Sequence, residues 1–480
     1  MKKRSSHNSL KINKKTLPIT VLIFSVYLVV VMISSAINSG VKNTAVGNYF
    51  EVYNHLFANK QPQKTLILFQ NNAEMRYGGG FIGSVGLLNS GKDGYKLDPI
   101  RSVYYFDHRI DDRASLTPVP PEFIGFIERM HVRDSGIYLN WKDSAELAAY
   151  YYEAESGVKV DNVIAITPTT FKKLLAITGP IELKEYNMTV TEDNFLTEVQ
   201  LEVESGTDKQ EKKDPKTILG TLGNQVIQKI LDRKLNDLGE FLPVLRDMAE
   251  QKQIVAYSRD ADFQKILNQI RVTGEIGDYS GNSLLVGEGN TGANKSSPFI
   301  KQTISQHLNI DPLGKATVDV SIVREHTSDY QYLYYDPTDK GDRWLVAENI
   351  NRAKILIPPG SKLINTSLTS DQLRVEQHDD RLSLNYLVVT YPKQSTTISF
   401  SYELPFQYQM GDRLGVDTLF EKQVGGFDQS IKYSVTLPST YKLLLVSEDK
   451  IKQDNSDSSS TYSMEFTQSK NQMVSLVFEK

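Results

Sequence analysis

The chain from residue 63 onward contains two regions whose apolar positions repeat differently. In residues 63–312, compact apolar runs alternate with runs of helical period. The clearest series is Val160–Ile166 as a strand, Thr169–Ile177 as a helix and Ile181–Leu183 as a strand. Because strands separated by helices are typical of α/β layers, the pattern predicts an α/β domain over this region, with Thr65–Phe69 as a buried strand.

From residue 313 to residue 480, the apolar runs give way to segments in which every second residue is apolar. The period of two is clear in Thr317–Val323, Thr397–Leu404 and Ile431–Leu437. Such a period places the apolar side chains on one face of each strand. Few helical stretches separate these strands, so the pattern predicts a C-terminal all-β sandwich over 313–480.

A continuous apolar stretch, Leu17–Ile37, lies near the N-terminus. As a helix it would be about 31 Å long, enough to cross the hydrocarbon core of a bilayer. Residues 1–16 are basic and contain no acidic residue, so the positive-inside rule places this tail in the cytoplasm. The sequence predicts a cytoplasmic tail (1–16), a transmembrane helix (17–37), a stalk (38–62) and an extracytoplasmic remainder.

The same apolar stretch has a second interpretation, a cleaved signal peptide. Ser34-Ser35-Ala36 supplies small residues at a spacing that suits cleavage. The stretch exceeds the usual apolar core of a signal peptide, which favours the uncleaved anchor. Both interpretations place the bulk of the protein outside the cytoplasm. A long extracytoplasmic protein without cysteine suits the bacterial cell envelope.

The distribution of charge argues against one class of partner. The protein has a net charge of −4, of which the basic tail contributes +6, so the remainder carries −10. Nucleic-acid binding requires clustered positive charge. We therefore expect no nucleic-acid partner.

The glycine-rich stretch Gly78–Gly83 fits the G-x-G-x-x-G pattern of dinucleotide-binding proteins, and Gly86–Lys92 fits the start of a phosphate-binding loop. The first motif needs a helix after its last glycine, but Ser-Val-Gly-Leu-Leu follows Gly83. The second needs Ser or Thr after its lysine, but Asp93 follows. We expect no nucleotide to bind here. The glycines instead favour a backbone bulge or the close approach of another segment.

Polar residues follow two of the predicted strands. Asn71, Asn72, Glu74 and Arg76 follow Thr65–Phe69. Ligands of α/β sheets bind beyond the carboxyl ends of strands. If this strand and the predicted strand Ser102–Phe106 are neighbours, the polar residues that follow each of them would meet. Their carboxylates could then hold Mg²⁺, and their arginines could bind phosphate. The alternative is a solvated loop with surface ion pairs. The second group follows the predicted strand Ser102–Phe106 and contains Asp107, Arg109, Asp111 and Arg113.

Four segments of the sequence resemble a bacterial envelope family known only as domain of unknown function 4012. They are "LILFQNNAEMRYGGGFIGSVGLL" (66–88), "VDNVIAITPTTFKKLLAITGPIEL" (160–183), "LLVGEGNTGANKSSPFIKQ" (284–302) and "FEKQVGG" (420–426). The resemblance extends from about residue 61 to residue 440. It implies no activity, because that family is uncharacterised.

The layout of Val160–Leu183 is also similar to that of the LytR-CpsA-Psr family, single-pass proteins that transfer lipid-linked glycopolymers onto the cell wall. This resemblance implies catalytic roles for Arg76, Asp107 and Arg109. Two departures weaken it. Tyr77 follows Arg76, so the family's metal-binding aspartate is missing, and the arginines that clamp pyrophosphate in that family have no counterpart.

Two functions follow as expectations. The first is a membrane-anchored envelope protein that binds or organises a surface polymer or partner and uses no cofactor. The alternative is a Mg²⁺-dependent phosphotransferase that attaches a polyprenyl-linked glycopolymer to the cell wall, through Arg76, Asp107 and Arg109. Under either function, the sequence assigns no metal ligands. The candidate ligand-binding residues are Asn71, Asn72, Glu74, Asp111 and Arg113.

Overall fold

A computed structural model describes most of the residues that follow residue 60. The predicted basic tail and the predicted membrane segment lie outside the described residues, as does most of the predicted stalk. Within the described part, no helix has the length and apolar character needed to cross a membrane. The described residues are 48, 51–52, 55–56, 61–92, 94–106, 118–206, 217–231, 241–328, 332–336, 341–378, 380–447 and 451–480.

The α/β domain is built on one mixed sheet. Its strands and helices are β1 (Gln63–Asn71), β2 (Phe81–Gly91), β3 (Gly94–Leu97), β4 (Arg101–Ser102), α1 (Trp141–Ser156), β5 (Asn162–Ile166), α2 (Pro168–Thr178), β6 (Ile181–Leu183), β7 (Met188–Val190), α3 (Gln200–Ser205), α4 (Thr217–Leu231), α5 (Phe241–Glu250), β8 (Ile254–Ser258) and α6 (Ala261–Gln269).

The sheet has the strand order β3-β2-β1-β5-β8, with β4 paired to β2. Strands β1 and β5 are parallel, whereas β2 and β8 run antiparallel to their neighbours. The central strand β1 is apolar on both faces, because Leu66 and Leu68 are fully buried and Ile67 is half-buried. The structure thus confirms a buried strand and a mixed α/β fold in this region.

Two hydrophobic clusters pack the helices α1, α2 and α4 of this domain. The larger cluster packs α1 against the sheet around Trp141 and Tyr151. The smaller cluster joins α2, the β6–β7 hairpin and α4 through Leu175, Ile181 and Leu222. Since α2 begins at the end of β5, the smaller cluster lies next to the carboxyl end of that strand.

The C-terminal half contains two large sheets, each of seven strands, that share one hydrophobic core, and a separate two-stranded sheet formed by Tyr332–Asp336 and Gly341–Val346. The first sheet has the order β15-β18-β11-β10-β20-β23-β22, and the second has the order β16-β17-β14-β9-β19-β24-β21. The strands are β9 (Asn282–Asn290), β10 (Ile300–Ile310), β11 (Lys315–His326), β12 (Tyr332–Asp336), β13 (Gly341–Val346), β14 (Asn349–Ile357), β15 (Lys362–Thr366), β16 (Leu373–His378), β17 (Arg381–Thr390), β18 (Ser395–Gln407), β19 (Arg413–Glu421), β20 (Gln429–Pro438), β21 (Lys442–Val446), β22 (Lys452–Asn455), β23 (Ser459–Gln468) and β24 (Gln472–Glu479).

Strands β9 and β10 belong to the sandwich sheets although they precede residue 313, where the sequence pattern places the start of the sandwich. Strand β10 alternates buried and accessible residues from Ile300 to Ile310, as the later strands do. Strand β9 is buried along almost its whole length, because it lies in the middle of a sheet and also contacts the α/β domain, where the Asn290 N–H donates to the Met75 carbonyl oxygen. Its near-continuous burial hides the period of two that marks the other strands.

The hydrophobic cluster around α1 contains side chains from both domains. Leu285, Leu356 and Val424 come from the sandwich region, yet they pack in the hydrophobic cluster of the α/β domain. The neighbouring Leu284 and Val286 pack in the separate core of the sandwich, so strand β9 contributes to both cores. The domains therefore meet through a packed joint.

The segment Ser102–Phe106 differs from its prediction as a strand. Strand β4 ends at Ser102, and Val103–Tyr105 forms a short 3-10 helix. Its burial is not alternating, since Val103 is fully buried while Tyr104 and Tyr105 are exposed. Strand β4 pairs with β2 rather than with β1. The two strands expected to carry the site are therefore not neighbours.

Candidate functional site: a cavity at the carboxyl ends of two parallel strands

A cavity of about 730 Å³ lies at the carboxyl ends of β1 and β5. The two strands are parallel and pair Phe69 with Ile166, so both end at the same edge of the sheet. Pro168, at the start of α2, also lines the cavity. This is the position at which α/β sheets commonly bind ligands.

Most of the cavity wall is apolar. The ring of Phe171 in α2 lies 6.3 Å from that of Phe69 and 6.2 Å from that of Phe195, measured between centroids. Leu196 and Leu222 extend the apolar surface on the side of the smaller hydrophobic cluster. A wall of this composition suits the apolar part of a ligand.

The polar end of the cavity contains a buried carboxylate between two cations. Arg76 Nη2 donates to Glu74 Oε1 at 2.7 Å, and Lys295 Nζ donates to Glu74 Oε2. The exposed fractions of the Glu74, Arg76 and Lys295 side chains are 9%, 6% and 15%. Glu74 and Lys295 line the cavity, whereas Arg76 lies behind them.

The electrostatics of this cluster keep its members charged. Burial disfavours the charged form of Glu74, but the charges of Lys295 and Arg76 outweigh burial and lower the pKa of this carboxyl group. Burial also disfavours the charged form of Lys295, but the nearby carboxylates of Glu74 and Glu204 raise its pKa. The cavity therefore ends in a charged cluster with partners of both signs.

Arg76 is committed to protein partners. Besides Glu74, its guanidinium donates to the carbonyl oxygen of Met75 at 3.1 Å and to that of Asn290. It also lies 5.1 Å from the ring centroid of Phe126 and 5.8 Å from that of Phe81. These contacts hold Arg76 as part of the structure that supports the site.

The two asparagines after β1 have different surroundings. Asn71 lines the cavity, and its amide nitrogen donates to Gln200 Oε1 at 2.9 Å. Asn72 is buried, and its amide nitrogen donates at 3.0 Å to both Thr169 Oγ1 and the carbonyl oxygen of Gly425. Asn71 can therefore face a ligand, while Asn72 holds the sandwich against α2.

The structure places the predicted site residues in three groups. Asn71 and Glu74 meet at the cavity. Asn72 and Arg76 lie beside it and bind other parts of the protein. The remaining predicted residues lie outside the described residues; they are Asp107, Arg109, Asp111 and Arg113.

The acidic and histidine residues of the described ranges do not fit a magnesium ion. No group of three such side chains is arranged there to hold a metal. Glu74 is a carboxylate that lines the cavity at the carboxyl end of β1, and its two oxygens already accept from Arg76 and Lys295. No step through a metal can be derived from this arrangement.

Sequence reasoning missed three residues that shape the site. Lys295 lies within the quoted segment 284–302, but nothing local marks its contact with Glu74, which is 221 positions away. Phe171 and Gln200 lie on helices whose inner faces look like ordinary core. Only the pairing of β1 with β5 brings these helices to the cavity.

The glycine run after Arg76 allows another segment to approach closely. Gly79 and Gly80 have φ values of 117° and 129°, a region that favours glycine. A Cβ on Gly425 would lie 2.7 Å from Gly79 Cα, so neither residue has room for a side chain there. Strand β2 begins directly after Gly80, in place of the helix that a dinucleotide site requires. The glycines thus serve the domain joint.

The fold and the site define a mixed α/β protein with large β-sandwich sheets and a largely apolar cavity at the carboxyl ends of two parallel strands, β1 and β5. Residues 60–203 match the family described as "Protein of unknown function (DUF4012)". The match confirms the resemblance to family 4012 seen in the sequence. No curated protein matches this sequence.

Two solved structures that align with this protein are only distantly similar to it. An M1 zinc metallopeptidase from Deinococcus radiodurans aligns at a TM-score of 0.23 and 12% identity, over 38% of this chain and 41% of that one. The Lin1025 protein from Listeria innocua aligns at a TM-score of 0.22 and 15% identity, over 45% of this chain and 80% of that one. This protein therefore spans less than half of the metallopeptidase, and neither similarity supports a functional argument.

Proposed function

We propose that the protein is a single-pass, membrane-anchored protein of the bacterial cell envelope that binds a surface polymer or partner through an apolar segment of that ligand. Under this proposal, residues 17–37 span the membrane with residues 1–16 in the cytoplasm. The extracytoplasmic α/β domain, of LytR-CpsA-Psr-like layout, holds the ligand, and the sandwich packs against it.

The observation that supports binding is the largely apolar cavity beyond β1 and β5. A volume of about 730 Å³ is within the range of small-ligand sites. Glu74, Lys295 and Asn71 form its polar end, which would orient a ligand whose apolar part lies against Phe171 and Leu196. A lipid-linked cell-wall glycopolymer has this combination of an apolar tail and a polar head.

The phosphotransferase alternative has less support. It requires Arg76 to contact a phosphate, but the guanidinium binds Glu74 and two backbone carbonyl oxygens. It also requires Mg²⁺, for which the described residues offer no ligand set. Binding without a reaction requires neither a metal ion nor a contact between Arg76 and the ligand.

The experiment blocks the cavity in the full-length protein in detergent. Leu196 lines the cavity and is half-buried, whereas the adjacent Thr197 is exposed and does not line it. The probe is a fluorescent polyprenyl phosphate, titrated into the wild-type protein, Leu196→Trp and Thr197→Trp. We expect Leu196→Trp to weaken binding by at least about tenfold, since the indole fills the cavity, and Thr197→Trp to bind as the wild type does.

Equal binding by Leu196→Trp and the wild type would overturn the role of the cavity. The envelope location has a separate test. Protease added to intact cells should degrade the C-terminal sandwich, and a sandwich that stays protected together with a soluble full-length protein would refute the location.

A further inference from the structure

A second and larger cavity lies between the two domains. This interdomain cleft has a volume of about 1270 Å³ and shares no residue with the cavity at β1 and β5. Its walls come from the end of α5, from residues 268–280 that lead into β9, and from sandwich residues 356–359, 419–421 and 470–473. Clefts at domain interfaces are frequent binding sites.

A buried lysine without a partner lines this cleft. Lys252 is 7% exposed. Across the described ranges, no side chain or carbonyl group forms an ion pair or hydrogen bond with its ammonium group, although its backbone is fully bonded. Lysine is almost never buried without a paired charge, because desolvation disfavours the ammonium ion. The charge of the Glu421 carboxylate acts on this ammonium group, but Glu421 forms its ion pair with Arg381 and not with Lys252. An ammonium group without a contacting counter-ion points to a ligand that supplies one.

The backbone holds Lys252 in a conformation that lysine rarely adopts. Its φ is 56°, in the left-handed region where glycine or asparagine usually ends a helix. Its N–H donates to the Ala249 carbonyl oxygen at 2.9 Å, and its carbonyl oxygen accepts from the Gly425 N–H at 2.8 Å. The protein thus has a lysine at a position where glycine would be less strained. Strain kept at one residue is a common sign of function.

Two carboxylates that line the cleft, the buried Glu421 and the partly exposed Glu250, already form ion pairs with cations, although Glu421 Oε2 has no hydrogen bond of good geometry within the described residues. Glu421 pairs with Arg381 at 2.9 Å, and Glu250 pairs with Arg246 at 2.9 Å and with Lys470 at 2.7 Å. Nearby, Lys422 binds Asp428 at 3.1 Å and the Ser469 carbonyl oxygen at 2.7 Å. The other charged residues that line the cleft are Lys142, Arg271, Glu275, Asp278 and Asp380.

We propose that the interdomain cleft binds an oxyanion group, a carboxylate or a phosphate, which pairs with the ammonium group of Lys252. Burial lowers the pKa of Lys252 to about 8, partly offset by the Glu421 carboxylate. A bound anion stabilises the charged form and raises this pKa, so binding takes up a proton. Occupation of the cleft also bridges the domains, because Lys252 belongs to the α/β domain and the opposite wall to the sandwich.

The test measures anion binding to the full-length protein by isothermal titration calorimetry. Sodium sulfate stands for a phosphate and sodium acetate for a carboxylate, at constant ionic strength with sodium chloride; both anions keep their charge throughout. The variants are Lys252→Met, which removes the charge, and Lys301→Met, a control at an exposed position of β10. The comparison runs from about pH 7 to about pH 9.5, across the transition of Lys252.

We expect one of the two anions to bind the wild type and Lys301→Met alike, and to bind Lys252→Met at least about tenfold more weakly. The affinity should fall about tenfold per pH unit above pH 8, because the free amine must regain its proton. The anion that binds identifies the ligand class. Equal affinities of the wild type and Lys252→Met for both anions, or no binding of either, would overturn the proposal. Leu196→Trp, which blocks the other cavity, should leave anion binding unchanged.

Discussion

The side-chain amide of Gln423 donates to the backbone carbonyl oxygen of Arg76 at 2.9 Å, across 347 positions of the sequence. The same amide nitrogen also lies 3.2 Å from the Tyr77 carbonyl oxygen and 2.9 Å from that of Glu288. Its amide oxygen accepts from the Glu288 N–H at 2.7 Å. One buried side chain therefore joins the segment after β1, strand β9 and the segment after β19.

Replacing Gln423 should weaken this joint. In Gln423→Ala, the backbone groups of Arg76, Tyr77 and Glu288 lose a buried hydrogen-bond partner. An unsatisfied buried polar group costs about 1–3 kcal/mol, so we expect the free energy of unfolding to fall by at least that amount. Chemical denaturation of the wild type and of Gln423→Ala, monitored by tryptophan fluorescence, measures the change.

The matched control is Gln407→Ala, at an exposed position near the end of β18. It should change the free energy of unfolding by less than about 0.5 kcal/mol. If the two variants unfold alike, the amide of Gln423 does not hold the domains together.

For β1 and the polar residues that follow it, the sequence predicts the strand well but does not predict what the polar residues contact. The apolar run Thr65–Phe69 predicts a strand, and β1 extends it by two residues at each end. The polar residues after it were expected to face a ligand, but Asn72 and Arg76 bind segments more than 200 positions away. Hydrophobic period reports which face of an element is buried, and it carries no information about which distant segment covers a polar residue.

Gly425 should tolerate no side chain. Its φ is 67°, and a Cβ would lie 2.7 Å from Gly79 Cα and 2.9 Å from the Gly79 carbonyl carbon. We expect Gly425→Ala to lower the free energy of unfolding by about 2 kcal/mol or more, through backbone strain and the displaced segment. Gly415→Ala is the control, because a Cβ there meets nothing within 4 Å and φ is not positive. A Gly425→Ala protein as stable as Gly415→Ala would contradict the close approach of the two segments.

The charged cluster at the cavity should make stability depend on pH in the acid range. The pKa of Glu74 is lowered in the folded protein, because Lys295 and Arg76 outweigh the effect of burial. A carboxyl group with a lowered pKa contributes stability above its unfolded pKa, and that contribution is lost as the pH falls through the folded pKa. The window lies below the ordinary value of 4.5.

Lys295→Met tests this cluster, because it leaves Glu74 buried with Arg76 alone. At neutral pH we expect the free energy of unfolding to fall by about 3 kcal/mol, as for other broken buried pairs. The difference from the wild type should narrow as the pH approaches 4, because a protonated Glu74 needs no cation. The control is Lys301→Met, on an exposed face of β10. A difference that stays constant with pH would show that Lys295 stabilises the fold by packing alone.

A buried acid on α1 should make the protein less stable as the pH rises through neutrality, whereas Glu74 makes it less stable as the pH falls in the acid range. Glu155 is 2% exposed, and its Oε1 lies 3.1 Å from His131 Nδ1 and accepts from the Val132 N–H at 3.2 Å. Burial raises the pKa of Glu155 to about 7, although the Val132 N–H and Arg133 oppose the shift. Between pH 4.5 and about pH 7, the Glu155 carboxyl group is therefore protonated in the folded protein and ionised in the unfolded state.

A raised folded pKa stabilises the protein below the unfolded pKa, and this stability is lost as the pH rises through about 7. We expect Glu155 to contribute at most about 3 kcal/mol across the interval from pH 4.5 to pH 8. Burial also raises the pKa of the neighbouring Asp134, to about 6, so the wild-type curve contains both groups. Urea denaturation at a series of pH values should show a flatter curve for Glu155→Gln than for the wild type. Glu182→Gln, at an exposed position of β6, should retain the wild-type slope. Parallel curves for Glu155→Gln and the wild type would mean that the pKa of Glu155 is not raised in the folded protein.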